Sequence, residues 1–249
     1  MKTAKGYSIK ELRQICQATA PNPEKETLAG KFCRIFAIYT TKLFLYTKIT
    51  PNQITAFGSV LFFVGSFMYF GSYKISLLGP LFYFLSIVVD GSDGEVARFR
   101  KKPSKFKFGS RYAEPVSHDF QYGFFFLILS IALFYQGASP LVLIFGALAS
   151  ITKLLYRMLK DHFWKAYYEQ IGQVNKEIQN KVYEERSLVA RLFYWTQRNI
   201  FSYPATLAPL LVATIFARMD IFILFYFVCH SLLLLALFTK HIIIIVKQS

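Results

Sequence analysis

The hydrophobic residues of this chain are gathered into long blocks, at 52–71, 75–90, 115–136, 139–158, 200–217 and 220–246. Each block is close to the ~20 residues that a helix needs to cross a bilayer. The second is the shortest, running from Ile75 to Val89 before an acid ends it, and its Gly79-Pro80 pair is tolerated near a helix end. The pattern predicts an all-α membrane protein. Six transmembrane helices are expected over 51–249, preceded by cytoplasmic or interfacial helices over 1–50.

The first fifty residues read differently. Ser8 and Glu11 have the spacing of a capping box and open a short helix, "SIKELRQICQAT", which Pro21 and Pro23 end. Lys2, Lys5, Lys10, Glu11 and Arg13 break up this stretch, so no signal peptide is expected. In "KFCRIFAIYTTKLFLYTK", residues Phe32, Ile35, Phe36, Tyr39, Leu43 and Tyr46 recur at helical spacing between cations. This pattern suits a helix lying along the lipid surface. The alternative is an amphipathic helix packed on protein.

Charge refines the picture. Of the 249 residues 54% are hydrophobic, and 29 Lys or Arg against 14 Asp or Glu give a net charge of +15. Such a balance first suggests nucleic acid, but the cations alternate with the apolar blocks. Residues 1–50 hold nine Lys or Arg and residues 98–111 hold seven, and the segment after the fourth block is also basic. The intervening turns hold only Lys74 or, in "YQGASPL", no charge. By the positive-inside bias, both termini and the 90–118 region are expected in the cytoplasm, with membrane lipids and no nucleic acid as partners. Cys16, Cys33 and Cys229 have neither metal nor disulfide spacing. Trp164, Tyr167, Tyr168 and Trp195 read as interfacial anchors, and His230 as a packed side chain on an apolar span.

Chemistry concentrates in "VVDGSDGEVARFRKKPSKFKFGSRYAEPVSHDF". Asp90 and Asp93 share a helix face with Gly94 and Ala97 one turn on, and Glu114 and His118 are four apart at the start of the next span. Two spans of opposite direction bring both clusters to one depth, where ionisable groups are costly and usually functional. Clustered carboxylates need cations between them, and oxygen ligands suit Mg²⁺ or Mn²⁺. Gly94 and Ala97 either leave room for a ligand or let helices pack closely. Arg98 supplies countercharge for phosphate, and Arg100 to Lys107 read as a membrane-facing basic loop.

Asp90-x-x-Asp93-Gly94-x-x-Ala97-Arg98, followed by Gly109 and further acids, resembles the signature of the CDP-alcohol phosphotransferases. "TPNQIT", Thr50 to Thr55, resembles the start of that family's first span. The resemblance implies transfer of a phospho-alcohol group from a CDP-linked alcohol or lipid donor to an acceptor alcohol, with release of CMP. It also implies two divalent ions held by Asp90, Asp93 and a third acid, a fourth acid as general base, and a homodimer. Asn52, Gly94, Ala97, Arg98 and Gly109 would contact the donor.

The second half of the motif departs from the family. Ten residues, where the family has eight, separate Arg98 from Gly109. Counting from Gly109, the third and fourth acids fall on Ala113 and Ser117. A shift of one puts them on Glu114 and His118, with Ser110 in the glycine slot. That register is preferred because it keeps both groups on one helix face. Histidine suits a general base because it titrates near neutrality, and Asp119 is the rival. Lys153, Arg157 and Arg198 are candidates for binding a phosphorylated acceptor, or simply satisfy the positive-inside bias. The competing classes are a silent relative, kept as a scaffold or nucleotide-lipid binder, and a cation-dependent transporter.

Overall fold

The computed structural model describes residues 6–18, 27–100, 112–171, 195–196 and 198–248, and all regular structure among them is helical. The chain divides into two compact units: Met1–Gln121 with Asn199–Met219, and Tyr122–Arg198 with Asp220–Ser249.

In the first unit, α1 (Ile9–Leu12) opens with the expected capping box. Glu11 N donates to Ser8 Oγ at 3.2 Å, and Ser8 N donates to Glu11 Oε2 at 2.7 Å. The Ser8 N–H and, at 2.8 Å, the Ser8 hydroxyl both donate to the Glu11 carboxylate and hold it below its usual range. The helix then widens over Arg13–Gln17, where Ala18 N bonds back to the Arg13 carbonyl at 3.0 Å. Thr27 caps α2 (Leu28–Leu45), its Oγ1 accepting a hydrogen bond from Gly30 N at 2.9 Å. A second capping box, Thr50 with Gln53, starts α3 (Pro51–Phe67), with Pro51 in the first turn where its missing N–H costs nothing. After the short α4 (Tyr73–Ser76) comes α5 (Gly79–Arg100), the helix on which the unit is built.

Helices α3 and α5 approach closely at small residues. Ser86 Oγ donates to the Gly58 carbonyl at 2.7 Å, and a Cβ on Gly65 would stand 2.8 Å from Phe82 Cβ. Helix α2 covers another side of α5. Its buried face is Cys33, Ala37, Ile38, Thr41 and Leu45, and the core there joins Leu12, Cys16, Ile54, Val89, Val96 and Phe99. The stripe predicted from the sequence points the other way: Phe32, Ile35, Phe36, Tyr39, Leu43 and Tyr46 are all exposed. An exposed apolar row of that length marks an interaction surface.

Five helices are long and apolar enough to cross a membrane among the described residues. They run Pro51–Phe70, Tyr73–Arg100, Glu114–Tyr135, Leu141–Phe163 and Met219–Val246. The fifth expected span, 200–217, is not among them. It holds only the apolar helix Pro204–Ile215, about 18 Å long at 1.5 Å per residue, against a hydrocarbon core of ~30 Å. Pro204 restarts the helix after a break, and its main part is Leu207–Ile215, α8 in chain order. A Schellman closure ends it: Ala217 adopts φ 52°, and Arg218 N bonds to the Ala213 carbonyl at 2.8 Å.

Helix α6 (Glu114–Tyr135) begins in the first unit and continues in the second, which also contains α7 (Leu141–Ile171) and most of α9 (Met219–Gln248). There a Cβ on Gly146 would meet Ser130 Oγ at 2.2 Å. His230 is buried with Nδ1 3.3 Å from the Ala149 carbonyl, the packed role expected for it. Trp195 is exposed. The side chains of Trp164, Tyr167 and Tyr168 lie outside the described set.

Candidate active site

The last turns of α5 carry two faces of different chemistry. Asp90, Asp93, Gly94 and Ala97 lie on the accessible side, while Ser92, Glu95, Val96 and Phe99 are buried. Asp93 Oδ2 accepts a hydrogen bond from Thr55 Oγ1 at 2.5 Å, so the first turn of α3 orients the second motif aspartate. Asp90 Oδ2 stands 3.7 Å from His118 Nε2. The charges of Asp93, Asp90 and His118 all act on the Glu114 carboxylate. The two predicted clusters therefore come together.

His118 is held on three sides. Its ring lies 5.4 Å from that of Tyr203, at 59°. Its Nδ1 is 3.2 Å from Gln121 Oε1. Gln121 Nε2 donates to Ser59 Oγ at 3.1 Å, and Ser59 spends its own hydrogen on the Thr55 carbonyl at 3.1 Å. Ser59 also accepts from Ser117 Oγ at 2.5 Å. This ordering turns the Gln121 carbonyl toward the imidazole, puts a hydrogen on Nδ1 and aims Nε2 at Asp90. Tyr203 is fixed in turn, its hydroxyl 2.6 Å from Ser86 Oγ.

The alternative register separates cleanly in space. Ala113 and Ser117 line a groove of about 330 Å³ with Asn52, Thr55, Ser59 and Phe120, between the starts of α3 and α6. Glu114 and His118 face the aspartates. Asp119 is half-buried on the same helix. Gly109 and Ser110 lie outside the described residues, as do 101–107 of the expected basic loop. Arg100 is corrected: it does not join that loop but bonds the carbonyls of Ile49, of Thr47 at 2.9 Å and of Phe44 at 3.3 Å, closing the α2–α3 connection.

Arg98, expected to face phosphate, turns inward. Its Nε donates to the Cys16 carbonyl at 2.5 Å, and its guanidinium folds over Gly94, where a Cβ would stand 3.0 Å from Nη1. In the second unit, Lys153 is buried with Nζ 4.7 Å from the centre of the Tyr122 ring, and Arg157 lies 5.0 Å from the same ring. Arg198 is half-buried at the end of its stretch of that unit.

By chemistry the donors fit a hard divalent ion: three carboxylates, two of them felt by the third, with one oxygen oriented by Thr55. Their spacing is wider than a closed shell. Among the described residues no group of three or more His, Cys, Asp or Glu side chains is close enough to hold an ion. Sequence reasoning missed Glu95, Thr55, Gln121 and Tyr203. Glu95, an acid inside the motif, and Thr55, the last residue of "TPNQIT", carried a signal; Gln121 and Tyr203 carried none.

Among the described residues, helices alone, five of them of membrane length, and a polar cluster where α5 and α6 meet point to a multi-pass membrane protein with an acid-rich site. Residues 48–159 match the family described as CDP-alcohol phosphatidyltransferase. That stretch contains the whole Asp90-to-His118 cluster. No curated protein matches the chain.

Proposed function

We propose that this chain moves a phospho-alcohol group of phosphatidyl type from a CDP-alcohol to an acceptor alcohol, releasing CMP. The observation that carries the reading is the 3.7 Å approach of His118 Nε2 to Asp90 Oδ2. It joins the intact half of the motif to the altered half at one point.

The acceptor oxygen attacks the β-phosphorus of the donor, and the bond from that phosphorus to CMP breaks. His118 Nε2 takes the hydroxyl proton, while Gln121 holds the Nδ1 hydrogen and Tyr203 holds the ring. Asp119 is the rival base. Asp90, Asp93 and Glu114 would hold Mg²⁺ or Mn²⁺, two ions in the full complement, whose charge offsets that of the diphosphate. Asn52, on the groove beside Thr55, Ala97, on the open face of α5, and Gly94, beneath the Arg98 guanidinium, would line the donor's path. Gly109 and Ser110 belong to the same proposed lining. Lys153, Arg157 and Arg198 would receive a phosphorylated acceptor. The alternation of basic and uncharged loops supports a site and termini in the cytoplasm.

The test is the full chain in liposomes, given radiolabelled CDP-diacylglycerol and a panel of alcohol acceptors with Mg²⁺ or Mn²⁺. CMP release with at least one acceptor is expected. Release with no donor and acceptor would leave a silent nucleotide-lipid binder.

A further inference from the structure

Glu95 is the one acid inside the motif segment 90–98 that the reaction does not use, and its side chain has no exposed surface. Burial of that kind persists only where both oxygens are satisfied. They are, by two N-terminal elements. Gln17 Nε2 donates to Oε1 at 2.8 Å, and Thr41 Oγ1 donates to Oε2 at 2.7 Å. Gln17 is itself fixed: its second N–H goes to the Arg34 carbonyl at 3.0 Å, and its oxygen accepts from Arg13 Nη1 at 3.0 Å.

Three residues further along α5, Arg98 meets the same segment. The Cys16 carbonyl is one of the acceptors that a helix C-terminus leaves unpaired, and a cation there is favourable. Arg98 Nε fills it. Two acids of its own helix attract the guanidinium, Glu95 more strongly than Asp93.

Building on the functional reading above, we propose that Glu95 is a positioning residue. With Gln17 and Thr41 it forms a clasp that holds the Arg98 cation on the Cys16 carbonyl and off Asp93. The Asp93 carboxylate is thereby kept available to a divalent ion, and the N-terminal segment 8–18 becomes part of the site. Without the charge at 95, Arg98 swings to Asp93 and competes with the ion for it.

Glu95→Gln separates this role from a structural one, because an amide retains hydrogen-bond partners for both Gln17 and Thr41 while removing the charge. The full chain carrying Cys33→Ala and Cys229→Ala, so that Cys16 is the sole thiol, is reconstituted with and without E95Q. The thermal midpoint, the rate of maleimide reaction at Cys16 and the Mg²⁺ dependence of CMP release are then measured. The expected result is a midpoint near the parent's, a faster Cys16 reaction, and a half-saturating Mg²⁺ concentration raised about tenfold, as for lost support of a metal ligand. An unchanged Mg²⁺ requirement, an equally protected Cys16, or a loss that follows a fall in midpoint overturns the clasp. A parent that releases no CMP overturns the functional reading, and this inference with it, whereas an active parent and an equally active variant overturn only the clasp.

Discussion

His118 Nε2 and Asp90 Oδ2, on helices that arrive from opposite ends of the motif, stand 3.7 Å apart. In the function proposed above, His118 stands in for the fourth acid of the motif and would exchange a proton with an incoming hydroxyl. The supporting groups set which nitrogen faces the reaction.

Gln121 is the group that sets it. Gln121→Leu removes the acceptor for the Nδ1 hydrogen and leaves the metal and nucleotide contacts alone. We expect kcat for CMP release to fall about tenfold with little change in KM, the signature of an interaction made only in the transition state. Gln121→Glu, which keeps an acceptor, recovers part of the rate. An equal rise in KM would assign Gln121 to substrate binding.

Thr55 supports Asp93 from α3 through its 2.5 Å hydrogen bond. Thr55→Val keeps the shape and removes the bond. Loss of such support weakens metal affinity roughly 10–100-fold, so the Mg²⁺ activation curve should move to higher concentration while the maximal rate is largely retained. A superimposable curve would separate Thr55 from the metal site.

Gly65 lets α3 lie against α5, with the Phe82 Cβ and the Gly79 carbonyl 2.8 and 3.0 Å from where a methyl would go. Neither neighbour is the end of a flexible chain, so Gly65→Ala must push the helices apart. A destabilisation of about 1–3 kcal/mol is expected, as for other overpacked cores, measured by denaturation in detergent. A wild-type midpoint would contradict this helix contact.

Burial, with Glu95 beside it, pushes the Cys16 thiol up to about 11 from its ordinary 9.0. Because the folded state holds the proton more tightly, the stability linked to it is fully present below about pH 9 and declines as pH rises toward 11. The thermal midpoint should therefore fall over that window, and Cys16→Ala should reduce the fall. An identical alkaline profile in both proteins would remove Cys16 as the cause.

Much of the site was legible because helix geometry is local. The three- and four-residue spacings of Asp90, Asp93, Glu114 and His118 place each cluster on one face, and Ser8 with Glu11 caps as its spacing predicts. What stayed hidden depends on distant chain. Tyr203 reaches His118 from beyond the matched domain, and Gln121 is oriented through Ser59 on another helix. Arg98 reads as a phosphate ligand until the Cys16 carbonyl is seen beside it. Hydropathy counted a fifth span at 200–217 because it registers apolar residues, not the restart at Pro204 or the left-handed Ala217 that shorten the helix.

The central claim is most directly tested by CMP release from the wild-type chain and from His118→Ala, in liposomes with Mg²⁺ and a CDP-alcohol, with CDP binding measured in parallel. Loss of a general base lowers turnover by about 10²–10⁴-fold. The account predicts a loss in that range, with nucleotide binding within a few-fold of wild type. Turnover in the alanine variant close to that of wild type would contradict it.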